Sequence, residues 1–404
     1  MVRAMGMNST PSGERVHIAF FGLCNTGKSS LVNAFTNQEL SIVSSFHGTT
    51  TDPVSKSMEL LPIGPVLIID TPGLDDEGEL GELRTARTRR ILAKTDIAVI
   101  VSEAGRGLKP LEEELIKLVK ERKLPYVVAL NKADLAGAQA PDSSSVVVSA
   151  LKRTGIEELK NKVGELLGKE PYKPLVSDLV DHGDILFLVI PIDKAAPKGR
   201  LILPQQMVIR DALEKGALPL AVRDTELSEA LSKVRPKLVI TDSQAFGHVS
   251  RTVPEDIPLT SFSILMSRYK GDLRRQIDAV TAVDTLQDGD RVLIAEGCTH
   301  HRQCDDIGTV KIPRWIKAYT GKDLDYSWTS GTGFPADLSG YKLVIHCGGC
   351  MLNEKEMQHR IRLSSEQGIP IANYGTLIAY LNGILERSVE PLPGYSLSQK
   401  SSSC

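Results

Sequence analysis

A glycine-rich segment near the start of the chain has the residue types and spacing of a phosphate-binding loop. Residues 22–30 read Gly-Leu-Cys-Asn-Thr-Gly-Lys-Ser-Ser, which matches G-x-x-x-x-G-K-[ST] between an apolar strand-like run and an apolar-periodic helix. Gly22 and Gly27 let the backbone turn so that its N–H groups point at phosphate oxygens. We expect Lys28 to reach the β and γ phosphates and the Ser29 hydroxyl to bind Mg²⁺. A turn that merely caps a helix is the disfavoured alternative.

Further motifs follow apolar runs in the order that a guanine-nucleotide site requires. Asp70-Thr-Pro-Gly73 offers a carboxylate for Mg²⁺ and a glycine N–H for the γ-phosphate. Asn131-Lys-Ala-Asp134 places a carboxylate where it can accept both N–H donors of guanine, so GTP is favoured over ATP. Ser149-Ala-Leu151 ends the next run and is expected to lie behind the base.

Two cysteine- and histidine-containing segments in the last third of the chain predict a metal site. Cys298-Thr-His300 and His346-Cys-Gly-Gly-Cys350 each begin where an apolar strand-like run stops. The carboxyl ends of parallel strands meet at one edge of a sheet, so the two segments are expected to converge. Their thiols and imidazoles suit structural zinc or an iron–sulfur cluster, and ligand count does not decide between these. Cys24 and Cys304 are interpreted as lying outside the metal site.

Composition places the chain among ordinary globular proteins. Its 404 residues are 41% hydrophobic and 24% charged, and 48 basic against 50 acidic side chains give a net charge of -2, which offers no electrostatic reason to expect nucleic acid as a partner. The apolar run Ile185–Ile192 is too short to span a membrane, and residues 1–15 lack the apolar block of a signal peptide. Six cysteines are too few for a disulfide framework. A cytoplasmic protein without membrane contact is therefore expected.

Strand-like runs and helical patterns alternate along the chain, which predicts the α/β class. We expect three tandem α/β domains with mainly parallel sheets, the first with the fold of phosphate-loop GTPases. The predicted organisation is a flexible N-terminus (1–14), a nucleotide-binding domain (15–169), a linker near 169–178, a middle domain (179–265), a metal-binding domain (266–393) and a flexible tail (394–404). The predicted strands are Val16–Gly22, Val66–Asp70, Ile97–Ser102, Tyr126–Asn131, Val146–Ser149, Ile185–Ile192, Leu218–Val222, Leu238–Thr241, Leu259–Leu265, Arg291–Glu296, Leu343–His346 and Pro370–Asn373.

The first domain resembles the TrmE/Era-like GTPases. Gly48-Thr-Thr-Thr-Asp52 is similar to their G-T-T-R-D switch, with Thr50 in the place of the Mg²⁺-contacting threonine and Thr51 in the place of the arginine. Leu74 stands where many small GTPases have the glutamine that orients the attacking water, so another group or a cation must supply that function. The resemblance implies that Asn25 holds a K⁺ ion against the phosphates; the alternative is a turn-forming asparagine.

The GTPase segment, the middle segment and the paired cysteine motif together resemble the [FeFe]-hydrogenase maturation GTPases of the HydF family, over about residues 15–390. The resemblance implies a [4Fe-4S] cluster on Cys298, Cys347 and Cys350, with the fourth iron held by His300, by His346 or by an exchangeable ligand. It also implies a middle domain that forms a homodimer. Such proteins receive a two-iron subcluster precursor from the radical-SAM maturases HydE and HydG and deliver it to apo-[FeFe]-hydrogenase, while GTP turnover regulates partner exchange.

We therefore predict a GTP-hydrolysing scaffold, K⁺-stimulated, with GTP or GDP, Mg²⁺ and an iron–sulfur cluster as its cofactors. The alternative is a zinc-stapled TrmE/Era-like GTPase that acts on RNA or ribosomes, which the near-neutral charge disfavours. The expected catalytic residues are Lys28, Thr50, Asp70 and Gly73. The expected nucleotide-binding residues are Gly22, Asn25, Thr26, Gly27, Lys28, Ser29, Ser30, Thr50, Asp70, Asn131, Lys132, Asp134, Ser149 and Ala150. The expected metal contacts are Ser29 and Thr50 for Mg²⁺, Asn25 for K⁺, and Cys298, Cys347, Cys350, His300 and His346 for the cluster.

Overall fold

A computed structural model of the chain describes residues 10–37, 54–73, 88–135, 140, 142–167, 173–192, 201–297, 306–331 and 333–395. The chain divides between residues 171 and 172 into two compact units. This division lies inside the linker predicted near 169–178. The expected flexible termini fall outside the described residues, apart from residues 10–14 and 394–395.

The first unit is built on a six-stranded sheet with the order β2-β3-β1-β4-β5-β6. Its strands are β1 (Val16–Gly22), β2 (Val54–Leu60), β3 (Gly64–Asp70), β4 (Ile97–Glu103), β5 (Tyr126–Asn131) and β6 (Ser145–Val147). Its helices include α1 (Lys28–Thr36), α2 (Pro110–Glu121) and α3 (Ile156–Leu166). Among the described strands β2 runs antiparallel to β3, and the other pairs are parallel.

Strand β1 shows why this sheet forms. Ile18 and Phe20 pack into the apolar cluster on one face of the sheet, whereas Ala19 and Phe21 pack into the cluster on the other face. Successive side chains of a strand point to opposite faces, so a continuous apolar run is what a strand covered on both faces requires. The carboxyl end of β1 is thereby fixed at the centre of the sheet, where the phosphate loop begins.

The second unit contains two four-stranded sheets, with the orders β10-β9-β7-β8 and β12-β11-β13-β14. All described pairs in both sheets are parallel. The strands are β7 (Ile185–Val189), β8 (Leu218–Val222), β9 (Leu238–Thr241), β10 (Leu259–Ser261), β11 (Arg291–Glu296), β12 (Asp325–Ser330), β13 (Leu343–His346) and β14 (Ile371–Asn373). The helices include α4 (Leu203–Lys215), α5 (Leu227–Lys233), α6 (Phe246–Thr252), α7 (Phe262–Lys270), α8 (Leu273–Ala279), α9 (Ile312–Thr320), α10 (Glu354–Glu366), α11 (Tyr374–Leu381) and α12 (Leu385–Val389).

The two sheets of the second unit share one hydrophobic core. Phe187 and Ile240 of the first sheet and Ile294 and Ile345 of the second are buried in the same apolar cluster. The domain boundary predicted between residues 265 and 266 falls inside helix α7. The middle and C-terminal segments are therefore continuous in packing, although each has its own sheet.

Strand β10 is shorter than predicted. The apolar run Leu259–Leu265 continues beyond the strand, but the Ser261 hydroxyl accepts a hydrogen bond from the Ile264 backbone N–H (3.2 Å) and caps helix α7. Such capping satisfies an N–H that a helix start otherwise leaves unpaired. The second half of the predicted strand is therefore helical. Across the described ranges, none of the helices has the length and apolar character needed to cross a membrane.

Candidate functional site

The phosphate loop forms a tight turn between β1 and α1. Asn25 and Gly27 adopt the left-handed backbone conformation, with φ of +63° and +80°. A Cβ on Gly27 would collide with the Asn131 amide, so glycine is required by close approach as well as by φ. Helix α1 begins directly afterwards at Lys28, and the side chains of Ser29 and Ser30 are exposed there. This arrangement suits the phosphate and Mg²⁺ contacts predicted for the loop.

Lys28 and Asp70 form an ion pair of 2.5 Å between Nζ and Oδ1. Both side chains are about nine-tenths buried, at 9% and 11% exposure, so each charge offsets the cost of burying the other. Strands β1 and β3 are adjacent and parallel, which places the two residues at one edge of the sheet. The residues predicted to meet the γ-phosphate and Mg²⁺ thus already lie within contact of one another.

Gly73 packs directly against the phosphate loop. A Cβ on Gly73 would collide with Cys24 Sγ and would lie 3.1 Å from the Cys24 backbone nitrogen. The preceding Thr71 hydroxyl donates to the Phe20 carbonyl oxygen (2.7 Å), which fixes this segment to β1. Only glycine allows so close an approach, so its N–H is positioned beside the loop.

Asn131 connects the phosphate loop to the base-binding segments. Its Nδ2 donates to the Thr26 carbonyl oxygen (2.9 Å), and its Oδ1 accepts from the Ala150 N–H (3.0 Å). Asp134 accepts a hydrogen bond from the Ser149 hydroxyl (2.5 Å), which holds the carboxylate that is expected to read guanine. The structure therefore brings these predicted nucleotide-binding residues together. Lys132 lies nearby, 3.4 Å from a Glu103 carboxylate oxygen.

Several predicted residues lie outside the described part of the chain. Thr50 and the switch segment 48–52, Leu74, Cys298 and His300 belong to this group. Among the described residues, no three His, Cys, Asp or Glu side chains form a group that could hold a metal ion. The described part of the cysteine motif is the segment His346–Cys350 together with Gly297, which precedes Cys298.

The strands that lead into the two arms of the cysteine motif lie side by side in the second unit. Strands β11 and β13 are adjacent and parallel, with Ala295 opposite His346. Cys347 Sγ accepts hydrogen bonds from the backbone N–H groups of Gly297 (3.0 Å) and Gly349 (3.4 Å). Gly349 has φ of +63°, which lets the loop aim its N–H at the sulfur.

The hydrogen bonds to Cys347 Sγ suit a cysteine that binds a metal as thiolate. Burial raises the pKa of its thiol to about 11, so in the protein alone the neutral form is favoured. The two N–H groups oppose that effect, because hydrogen bonds to sulfur stabilise the charged form and are typical of cluster-binding thiolates. Cys350 is half-buried two residues after Gly348 in the same loop. The loop therefore presents thiols in the manner that zinc or an iron–sulfur cluster requires.

His346 is fully buried, and both its ring nitrogens have partners in the protein. Nδ1 lies 2.7 Å from the Cys347 carbonyl oxygen, and Nε2 lies 3.1 Å from Arg360 Nη1. Burial, together with the positive charge of Arg360, lowers the pKa of the imidazole to about 3. The histidine is thus held neutral within the protein interior.

Sequence reasoning missed two buried cationic residues around the cysteine loop. Lys270 donates to the carbonyl oxygens of Cys350 (3.3 Å) and Leu352 (2.9 Å), and Arg360 contacts His346. The sequence held only a weak indication that Arg360 is buried. Its spacing places it on the same face of α10 as the buried Met357 and Ile361, where an apolar residue is usual. Nothing in the sequence around Lys270 indicated its contact with the loop.

Comparison with protein families divides the chain into three matches. Residues 17–132 match the 50S ribosome-binding GTPase family. Residues 175–271 match the Hydrogen maturase F dimerization domain, and residues 274–391 match the Hydrogen maturase F tetramerization domain. The first unit is thus a GTPase domain, and the last two matches extend over most of the second unit.

Individual relatives that match part of the chain are GTPases. The GTPase Der of Sulfurimonas denitrificans is 29% identical over 208 residues, which is 50% of this chain and 40% of the relative. The tRNA modification GTPase MnmE of Moorella thermoacetica is 32% identical over 166 residues, 38% of this chain and 35% of the relative. The chain thus spans less than half the length of these curated relatives. Among solved structures, Era of Aquifex aeolicus bound to GDP and AlF4⁻ has a TM-score of 0.33 at 19% identity, covering 51% of this chain and 92% of that one.

The position of Asp134 predicts that it selects guanine. Asp134→Asn replaces an acceptor by an amide whose N–H group faces the guanine amino group, so GTP affinity is expected to fall by about 10-fold to 100-fold. Xanthosine nucleotides, which carry an oxygen at that position, should bind better than GTP. Titration calorimetry with both nucleotides measures the change, and Glu121→Gln on the exposed end of α2 is the matched control. Unchanged GTP affinity would remove Asp134 from the base site.

Proposed function

The chain belongs to the hydrogen maturase F (HydF) family, and from that premise we propose that it is a GTP-hydrolysing scaffold for assembly of the [FeFe]-hydrogenase cofactor. In this role it carries a [4Fe-4S] cluster and delivers a two-iron subcluster precursor to apo-[FeFe]-hydrogenase. The observation that carries the proposal is the pair of backbone N–H groups aimed at Cys347 Sγ where two parallel strands end. The family and the thiol chemistry together support iron–sulfur binding over structural zinc.

Cys298, Cys347 and Cys350 are the proposed cluster ligands. A bound cluster would supply an iron with one coordination position that a cysteine does not fill. The protein's own contribution is to hold Cys347 by N–H groups and to fix the loop backbone through Lys270, whose positive charge lies beside a site that becomes anionic. The candidates for the fourth iron ligand are His300, His346 and an exchangeable group.

GTP hydrolysis takes place in the first unit. Lys28, Ser29 and Asp70 would bind the phosphates and Mg²⁺, with Thr50 completing the magnesium site. We propose that Asn25, exposed in the loop at φ of +63°, binds K⁺ beside the developing charge, because Leu74 offers no group that orients water. GTP turnover would then control exchange of partners. Its chemistry cannot build an iron cofactor.

The partners proposed for the chain follow from the family. They are the radical-SAM maturases HydE and HydG as donors, apo-[FeFe]-hydrogenase as acceptor, and a second copy of the chain. A cytoplasmic location fits a protein whose cysteines serve as ligands and not as disulfides. The competing proposal is a GTPase that binds RNA or ribosomes and has a structural zinc site. Metal analysis of the purified protein separates the two, because one proposal requires iron and the other zinc.

The edge strand β8 is the proposed dimer surface of the middle segment. β8 pairs only with β7 among the described strands, so no described strand occupies its outer edge. Leu218 and Leu220 stand two residues apart on one face of this edge strand and are 52% and 42% exposed. An exposed apolar edge of this kind pairs readily with another strand, and a second copy supplies one.

The dimer proposal predicts that Leu220→Glu weakens self-association. A carboxylate at the edge would have to lose its water on pairing, so the dimer is expected to dissociate at concentrations where the unmodified chain remains associated. Sedimentation velocity of the full chain measures the change. Leu213→Glu on α4 is the control, because Leu213 is equally exposed at 55% but lies on a helix. If both variants associate as the unmodified chain does, β8 is not the interface.

The potassium proposal predicts faster GTP hydrolysis in K⁺ than in Na⁺. Asn25→Gly removes the amide but preserves the left-handed backbone, so the variant is expected to retain GTP binding and to lose the K⁺ advantage. The rate of phosphate release in K⁺ and in Na⁺, at matched ionic strength, measures this advantage. Asn37→Gly is the control, because Asn37 is also left-handed (φ +51°) but ends α1. Equal rates of the unmodified chain in both salts would exclude a potassium site.

The cluster proposal predicts that Cys347→Ser cannot hold iron as the unmodified chain does. A hydroxyl is a poor substitute for thiolate on iron, so anaerobic reconstitution should yield little or no visible charge-transfer absorption. Cys298→Ser and Cys350→Ser should behave alike, and Cys304→Ser is the control. GTP hydrolysis should survive in all four variants, since the nucleotide residues lie in the other unit. Stoichiometric zinc without iron, or hydrogenase activation by Cys347→Ser, would overturn the scaffold assignment.

A further inference from the structure

Arg360 is a fully buried cation whose guanidinium is engaged on three sides. Its Nε donates to Glu356 Oε1 (2.8 Å), its Nη1 lies 3.1 Å from His346 Nε2, and its Nη2 donates to the Gly331 carbonyl oxygen (2.6 Å). The ring of Phe334 lies against it, 5.0 Å from the guanidinium carbon. A buried charge is costly unless it is paired and hydrogen-bonded, and this arginine meets both conditions.

The contact between Arg360 and His346 determines which ring nitrogen carries the proton. A guanidinium only donates hydrogen bonds, so Nε2 must be the acceptor and carries no proton. Nδ1 faces the Cys347 carbonyl oxygen, which only accepts, so Nδ1 must carry the proton and donate it. The imidazole is therefore the neutral Nδ1–H tautomer, and its single lone pair already receives an arginine N–H.

The same arginine reaches the other arm of the cysteine motif through Gly331. The Gly331 N–H donates to the Glu296 carbonyl oxygen (2.9 Å), and Glu296 lies two residues before Cys298. On the opposite side, His346 donates to the carbonyl oxygen of Cys347. Arg360 is thus linked, through one intermediary on each side, to the backbone of Glu296 at the end of β11 and to the backbone of Cys347.

We propose that Arg360 is a positioning residue that assembles the two arms of the cluster site, and that His346 transmits this positioning and does not bind iron. The cluster part of the inference rests on the proposed function, whereas the hydrogen-bonding part concerns the protein alone. His346 could bind iron only by giving up its contact with Arg360, which would leave one buried guanidinium N–H without an acceptor. In the structure, His346 Nε2 accepts a hydrogen bond from Arg360, so its lone pair is not available to a metal.

The metal-free protein provides the first test. In the chain labelled with ¹⁵N-histidine, ring spectra of His346, assigned by its loss in His346→Gln, should show the Nδ1–H tautomer with slow exchange of that proton. Arg360→Met removes all the donors at similar length, so the ring should become a mixture of tautomers with a faster-exchanging proton. An Nε2–H tautomer in the unmodified chain would overturn the inference. The spectrum of the unmodified chain tests the contact of Arg360 with His346 even if Arg360→Met fails to fold.

The second test follows iron in the reconstituted chain. Arg360→Met and His346→Gln should both lose iron to a chelator about 10-fold faster than the unmodified chain, because residues that orient a ligand typically contribute this much to metal retention. Both should retain the spin-resonance spectrum of the reduced cluster and its response to imidazole. Arg362→Met, an exposed arginine of the same helix that is paired with Glu366, is the matched control.

The outcomes distinguish this inference from the proposed function. A changed spectrum and a lost imidazole response in His346→Gln, with neither change in Arg360→Met, would make His346 a ligand and refute its positioning role. Iron loss from Arg360→Met at the rate of Arg362→Met would remove the positioning role of Arg360. If the unmodified chain assembles no iron cluster, the proposed function fails, and the ring spectra of the metal-free chain still decide the contact of Arg360 with His346.

Discussion

Both candidate sites depend on one constraint, the parallel register of adjacent buried strands. Parallel strands end at the same edge, and the backbone that leaves them has N–H groups with no ladder partner. In the first unit this backbone begins at Gly22 and forms the loop predicted to bind phosphate; in the second unit the N–H of Gly297 donates to Cys347 Sγ. Each candidate site thus lies where the backbone that leaves a parallel sheet can offer N–H donors to a ligand or to a ligand-binding atom.

The central strands, and with them the positions of the turns that follow, were predictable because burial on both faces leaves a distinct pattern in sequence. Tyr126–Asn131 and Arg291–Glu296 have the predicted bounds, since central parallel strands are continuous apolar runs flanked by polar motifs. The edge strands β2 and β12 were not predicted. Their sequences, Val-Ser-Lys-Ser-Met-Glu-Leu and Asp-Tyr-Ser-Trp-Thr-Ser, mix polar residues throughout because an edge strand is covered less, and periodicity alone does not separate such segments from loops.

The supporting residues of the cysteine loop were unpredictable for another reason. Lys270 and Arg360 lie outside the motif in sequence, and lysine and arginine are usually found at the surface. In this structure they are only 2% and 0% exposed. Their burial is favourable only because carbonyl oxygens, a carboxylate and an imidazole nitrogen converge on them in three dimensions. Motif spacing identifies atoms that bind a metal. It carries no information about distant groups that orient those atoms, because those groups are selected by the packed fold.

The contact between His346 and Arg360 bears on how the proposed scaffold would hold its cluster and release its cargo. If the loop histidine stabilises the site without binding iron, three cysteines hold the cluster, and the remaining iron position falls to His300 or to an exchangeable ligand. A carrier needs separate groups for holding the cluster and for exchanging the cargo. The groups that keep the cluster in place must be rigid and buried, as the contacts of Cys347 and Arg360 are, while the position that accepts and releases cargo must open without disturbing them. In the proposed scaffold, Arg360 of α10 keeps His346 among the rigid groups and leaves the exchangeable position to another ligand.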